Sequence, residues 1–103
     1  EIRAALNIIS KTNLEYFSNE QKAEIFRLKG EALQHLGYGD ESNTAFSAAI
    51  SICDSYGKAW LSWAIFCDRV FTLKQDLQWA KHAVVCYLQA IRHKKNRARL
   101  LIA

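Results

Sequence analysis

Lys58-Ala59-Trp60-Leu61-Ser62-Trp63-Ala64 is the densest run of aromatic and small residues in this 103-residue chain, with long stretches of sequence on either side. At 100° per residue, a helix through it carries Trp60, Ala64, Cys67 and Phe71 on one face and Ala59, Trp63, Phe66 and Val70 on the next. An apolar arc covering roughly half of the circumference needs neighbours on two sides, so this helix belongs inside a stack. Trp60 and Trp63 read as core spacers between layers. A buried Trp60 cut to alanine is expected to cost about 3–5 kcal/mol and to unfold the segment.

The flanking sequence carries the same periodicity. It predicts helices over about 2–10, 19–36, 41–53, 57–73, 76–93 and 97–103. Thr12-Asn13-Leu14-Glu15 and Ser18-Asn19-Glu20-Gln21 each fit a capping box, and Leu14 to Phe17 between them reads as a single turn that packs its aromatics against the next helix. Gly37 is placed to end one helix, and Asp40 and Glu41 put carboxylates where the N-terminus of the following helix favours them. No proline and only four glycines occur, a composition that suits helices joined by short turns and leaves little hairpin chemistry.

Two internal offsets relate these helices. Phe26, Gly30 and Leu33 match Trp60, Ala64 and Cys67 at a separation of 34, the tetratricopeptide period, while Phe46, Ala49 and Ile50 match Tyr87, Ala90 and Ile91 at 41. The repeat core is therefore Phe26, Gly30, Leu33, Phe46, Ala49, Trp60, Trp63, Ala64, Tyr87 and Ala90. A single unit of this kind cannot bury both faces alone. The fold class is all-α: tetratricopeptide-like antiparallel helix pairs forming a solenoid segment over residues 1–103. The chain does not open on Met and closes on Leu100-Leu101-Ile102-Ala103, so both ends read as cut from a longer protein, and the segment alone is expected to be poorly soluble.

Chemistry is sparse. No apolar run approaches the roughly 18 residues of a membrane span. The three cysteines, Cys53, Cys67 and Cys86, have apolar neighbours and read as buried thiols of a reducing compartment. His82 and Cys86 are four apart and could form half of a zinc site, but no second pair has ligand spacing, so a packed cysteine beside a partly exposed histidine is preferred. Neither a phosphate-binding glycine loop nor a nucleophile with a base is present, and no catalytic residue, cofactor or small-molecule substrate is expected. The net charge of +4 comes from one cluster: without Arg92, Lys94, Lys95, Arg97 and Arg99, nine basic residues face ten acidic ones. The cluster is expected at a helix C-terminus and in the following turn, where the helix dipole favours it. Its functional reading is a basic patch of Lys94, Lys95 and Arg97 for an acidic partner. Direct nucleic-acid binding is disfavoured, because no aromatic residue interrupts the basic run.

Asn13-Leu14-Glu15-Tyr16-Phe17, Ala23-Glu24-Ile25-Phe26-Arg27-Leu28-Lys29-Gly30, Ala45-Phe46-Ser47-Ala48-Ala49, Lys58-Ala59-Trp60 and Arg97-Ala98-Arg99-Leu100-Leu101 together resemble the FAT region of the transformation/transcription-associated pseudokinases, a branch of the phosphatidylinositol-3-kinase-related kinase family. The resemblance covers nearly the whole chain from Asn13 onward. It implies a non-catalytic segment of a helical-repeat solenoid that clamps a kinase-like domain, in a nuclear scaffold of histone acetyltransferase coactivator complexes. The implied partners are the adjacent repeats and kinase-like domain of the same chain, subunits of acetyltransferase complexes, and transcription activators. A stand-alone tetratricopeptide adaptor that binds a peptide, and the FAT segment of an active kinase of the same superfamily, are the alternative readings.

Overall fold

The structure, a computed structural model, describes residues 1–102, with side chains through Lys94. Five α-helices run in order, α1 (Ile2–Lys11), α2 (Asn19–His35), α3 (Gly39–Ile52), α4 (Gly57–Lys74) and α5 (Leu77–Ile102), with a 3-10 turn at Leu14–Tyr16. No strand occurs among the described residues. Helix α2 packs antiparallel on α3, and α4 on α5; α4 then lies against both α3 and α2, so one pair stacks on the other. The shortest dimension of 21 Å equals about two helix diameters, as expected for two layers of helices.

The turns follow from local chemistry. Ser18 and Gln21 form a reciprocal capping box at the start of α2: the Gln21 N–H donates to Ser18 Oγ at 3.1 Å, and the Ser18 N–H to Gln21 Oε1 at 2.9 Å. At the other end Gly37 takes φ +82°, which lets its N–H reach the Gln34 carbonyl and that of Tyr38 the Leu33 carbonyl, a Schellman closure. Asp76 starts α5 by accepting from the Gln78 N–H at 3.0 Å.

The first pair closes on one contact. A Cβ added to Gly30 would lie 2.7–2.9 Å from the Phe46 ring, so only glycine lets α3 press its fully buried phenylalanine onto α2. Ser42, one turn earlier on α3, donates its hydroxyl to the Gly30 carbonyl at 2.6 Å and is satisfied although fully buried. Phe46 also reaches the second pair: its ring centroid is 5.6 Å from that of Phe66, and Cys67 and Ala83 complete the cluster. In the second pair the approach is looser: a Cβ placed on Gly57 would lie 3.3 Å from the Cβ of His93 and 3.5 Å from the carbonyl of Ala90.

Four expectations change. Thr12 does not cap the following turn; its hydroxyl donates to the Ile8 carbonyl and closes α1, and Asn13 caps the turn at the Glu15 N–H instead. The aromatics of that turn are not buried against α2: Tyr16 is 85% exposed and Phe17 38%. Trp60 is half-buried, with its ring 6.1 Å from that of Trp63 and its N–H donating to the Asp54 carbonyl. The centre of the stack is therefore Phe46 with Phe66, not Trp60. Finally, α5 continues through the basic cluster to Ile102, so no separate helix begins at 97. Arg, Lys, Ala and Leu are all good helix formers, and no glycine or proline interrupts them.

Candidate interaction site

Between the two pairs lies a polar lock that no single helix could specify. On α2, Glu24, Arg27 and Glu31 stand at i, i+3 and i+7, on one face. Arg27 holds Glu24 with a two-pronged contact and Glu31 with one hydrogen bond of 3.1 Å. The same guanidinium nitrogen donates to Ser62 Oγ of α4 at 3.1 Å, and the Ser62 hydroxyl donates to Glu31 Oε1 at 3.0 Å. From the turn before α4, Tyr56 donates its hydroxyl to Glu24 Oε1 at 2.9 Å. The Arg27 hydrogen bond holds the Glu24 carboxyl below its usual range, while burial, reinforced by Glu24, pushes the Tyr56 phenol up to about 12. The three charges lie close together along α2, while their partners Ser62 and Tyr56 are 31–35 positions away.

A second polar contact joins α4 to α5. Cys67 Sγ lies 3.2 Å and Cys86 Sγ 3.5 Å from the same atom, His82 Nδ1. The pairing of Cys67 with Cys86, together with burial, pushes the Cys67 thiol far up, and burial lowers the His82 imidazole toward its neutral form. His82 also packs edge-on against Trp63, whose N–H donates to Asn43 of α3 at 2.9 Å. The fold thus brings a third group to the His82 and Cys86 pair. Among the described residues, however, no group of three His, Cys, Asp or Glu side chains is arranged to hold a metal ion.

The residues marked from sequence fall in two settings. Gly30, Leu33, Phe46, Ala49 and Ala64 are buried, whereas Phe26, Trp60, Trp63, Tyr87 and Ala90 are half-buried along the seams. Of the basic patch, Lys94 is exposed within α5, and the side chains of Lys95 and Arg97 lie outside the described residues. Because Lys94 is mid-helix, a helix C-terminal dipole does not account for it. One surface depression is lined by Asp68, Arg69, Thr72 and Leu73, and another, between α2 and α3, by Phe26, Leu33, Ala45 and Ala48 with Lys29, Asp40, Glu41 and Thr44. More conspicuous is apolar exposure: Val84 and Ile91 on α5, at 57% and 51%, and Leu61 and Ile65 on α4, at 44% and 38%.

Comparison with known proteins bears on this stacked, seam-rich architecture. The family model described as FAT domain matches residues 1–103. The chain belongs to the FAT domain family. This FAT segment is 38% identical to Transcription-associated protein 1 of Drosophila melanogaster, with all of the segment and 3% of that protein covered. It is 36% identical to Transformation/transcription domain-associated protein of Homo sapiens, again over all of the segment and 3% of that protein. It is 42% identical to the SAGA complex/NuA4 acetyltransferase complex subunit TRA1 of Saccharomyces cerevisiae, over 93% of the segment and 3% of that subunit. The FAT segment thus spans about 3% of the length of these curated relatives.

Proposed function

We propose that this FAT segment is a non-catalytic structural and protein-interaction part of a large nuclear pseudokinase scaffold of histone acetyltransferase transcription coactivator complexes. The end-to-end likeness to transcription-associated proteins, including a relative named as a SAGA and NuA4 subunit, carries this reading. The polar groups of the Arg27 lock and of the His82 contact are spent in joining helices, which supports a structural role for them. The segment acts through shape, packing against adjacent repeats and the kinase-like domain of the same polypeptide, and through them positions acetyltransferase subunits. Lys94, Lys95 and Arg97 are the charged candidates for an acidic activator or a neighbouring subunit.

Purification of the tagged full-length protein from nuclear extract tests this. Nucleosomal histone acetyltransferase activity should co-elute with it, and magnesium- and ATP-dependent phosphoryl transfer should not follow the chain through a high-salt wash. Absence of the acetyltransferase, or a kinase activity that stays with the purified chain, overturns the proposal.

A further inference from the structure

Three chemically reactive side chains meet in the seam between α4 and α5, beside the apolar cluster of Phe66 and Ala83. Cys67 Sγ of α4 and Cys86 Sγ of α5 lie 3.2 and 3.5 Å from one atom, His82 Nδ1, which stands one turn before Cys86 on α5. The next residues along each helix also meet, Tyr87 donating to Asp68 at 3.3 Å, so the two backbones run level at this point. Both cysteines are fully buried free thiols, while His82 is half-buried and is the member of the trio that meets solvent. A cysteine buried as a small apolar filler needs no partner. These two share one, and the single lone pair on a neutral ring nitrogen accepts from only one thiol at a time. The other sulfur is left beside a thiol already engaged. Burial keeps the imidazole toward its neutral, proton-accepting form. The pairing with Cys67 lowers the Cys86 thiol against the effect of burial, while that of Cys67 is pushed up. One of the two sulfurs is thus the better nucleophile, with a base next to it and a second thiol in the same contact.

We propose that Cys67 and Cys86 are a redox-sensitive pair that hydrogen peroxide converts to a disulfide between α4 and α5, with His82 taking the first proton. The Cys86 thiol gives its proton to His82 Nδ1, and the thiolate sulfur attacks one oxygen of the peroxide. The O–O bond breaks, and the other oxygen leaves as hydroxide, which takes the proton back from His82 as water. Cys86 is now a sulfenic acid. The Cys67 thiol loses its proton as its sulfur attacks that of Cys86; the S–O bond breaks, and the hydroxide leaves with that proton as a second water. Two thiols and one peroxide thus give one disulfide and two waters, with two electrons passed from sulfur to peroxide oxygen. The bond ties α4 to α5 at a level that the Arg27 lock does not reach, and an oxidised pair resists the local opening that a reduced one allows. In a compartment that keeps thiols reduced, such a bond is a transient signal and not a permanent staple.

The pair belongs to the seam of α4 and α5 and does not depend on the scaffold assignment. The test uses the purified full-length protein, reduced, freed of reductant, exposed to a small excess of hydrogen peroxide, alkylated with iodoacetamide and digested with trypsin without reduction. Trypsin releases Cys67 within residues 59–69 and Cys86 within 82–92, each the single cysteine of its peptide, and Cys53 in a third. Mass spectrometry should find 59–69 joined to 82–92 after peroxide, a link absent beforehand and removed by dithiothreitol. Both cysteines still alkylated as thiols, a bond from either to any other cysteine, or a sulfinic acid without the link overturns the proposal. His82→Gln should slow the linkage roughly tenfold or more, through loss of a positioned base, while Cys53 keeps its wild-type alkylation rate. An unchanged linkage rate overturns the proposal. Cys67→Ser gives a readout that does not depend on a His82 variant folding: Cys86 should stop at the sulfenic acid and be captured by dimedone. No dimedone adduct at Cys86 overturns the proposal as well.

Discussion

Phe46 is the residue on which both helix pairs converge. It is fully buried, lies on the bare face of Gly30 and packs against Phe66 of the next pair. Truncation removes a large side chain from a site with little room to collapse, because Ser42 ties α3 to the Gly30 carbonyl at 2.6 Å. Phe46→Ala is therefore expected to cost about 3–5 kcal/mol in a urea titration of the segment. Trp60→Ala should cost about 1–2 kcal/mol, since its half-exposed ring gives up less area and one hydrogen bond. Equal losses would return Trp60 to the central role that its sequence context suggested. Trp60 looked central because tryptophan is the largest apolar side chain; burial was decided by which face of α4 met its neighbours.

At the scale of elements, helix ends were legible where the chemistry is local. The Ser18 and Gln21 box and the glycine at position 37 each use partners within five residues, and both form as their spacing predicts. The Thr12 box failed because α1 offered the same hydroxyl a carbonyl at Ile8, a competing local bond. The break expected before residue 97 failed because charge density was read as a turn, although the residues concerned favour helix. The left-handed Gly37 supplies the element-level prediction. Gly37→Ala should lower the stability of the segment by about 1–2 kcal/mol, the cost of a Cβ in that region. Nothing lies within 4 Å of the added atom, so the loss should be the same whether alanine or serine is introduced. A much greater loss with serine would show that packing, and not backbone conformation, sets the penalty.

For the whole molecule, the seam between pairs matters most, and its polar lock makes stability depend on pH in a defined way. Glu24 titrates below its usual value in the folded state, so its contribution is complete above the ordinary carboxylate pKa of 4.5 and is lost as pH falls through the lowered one. Tyr56 is raised from 10.0 to about 12, so its contribution is complete below pH 10 and is lost as pH rises toward 12. Urea midpoints should accordingly fall at both extremes. Glu24→Gln should flatten the acid limb and also weaken the alkaline one, because Glu24 reinforces the Tyr56 shift, whereas Tyr56→Phe should flatten the alkaline limb and leave most of the acid limb, which Arg27 sets. An acid limb unchanged in Glu24→Gln would remove the lock from the account of how the pairs hold together.

Periodicity and cap spacing were enough to determine an all-helical chain and its main helix boundaries, because each rests on residues near one another along the chain. Tertiary structure alone decided which residues hold the layers together. Arg27 and Ser62 are 35 positions apart, and Cys67 joins His82 across a turn between helices. Such partners are chosen by the crossing of one helix over another and not by any local pattern.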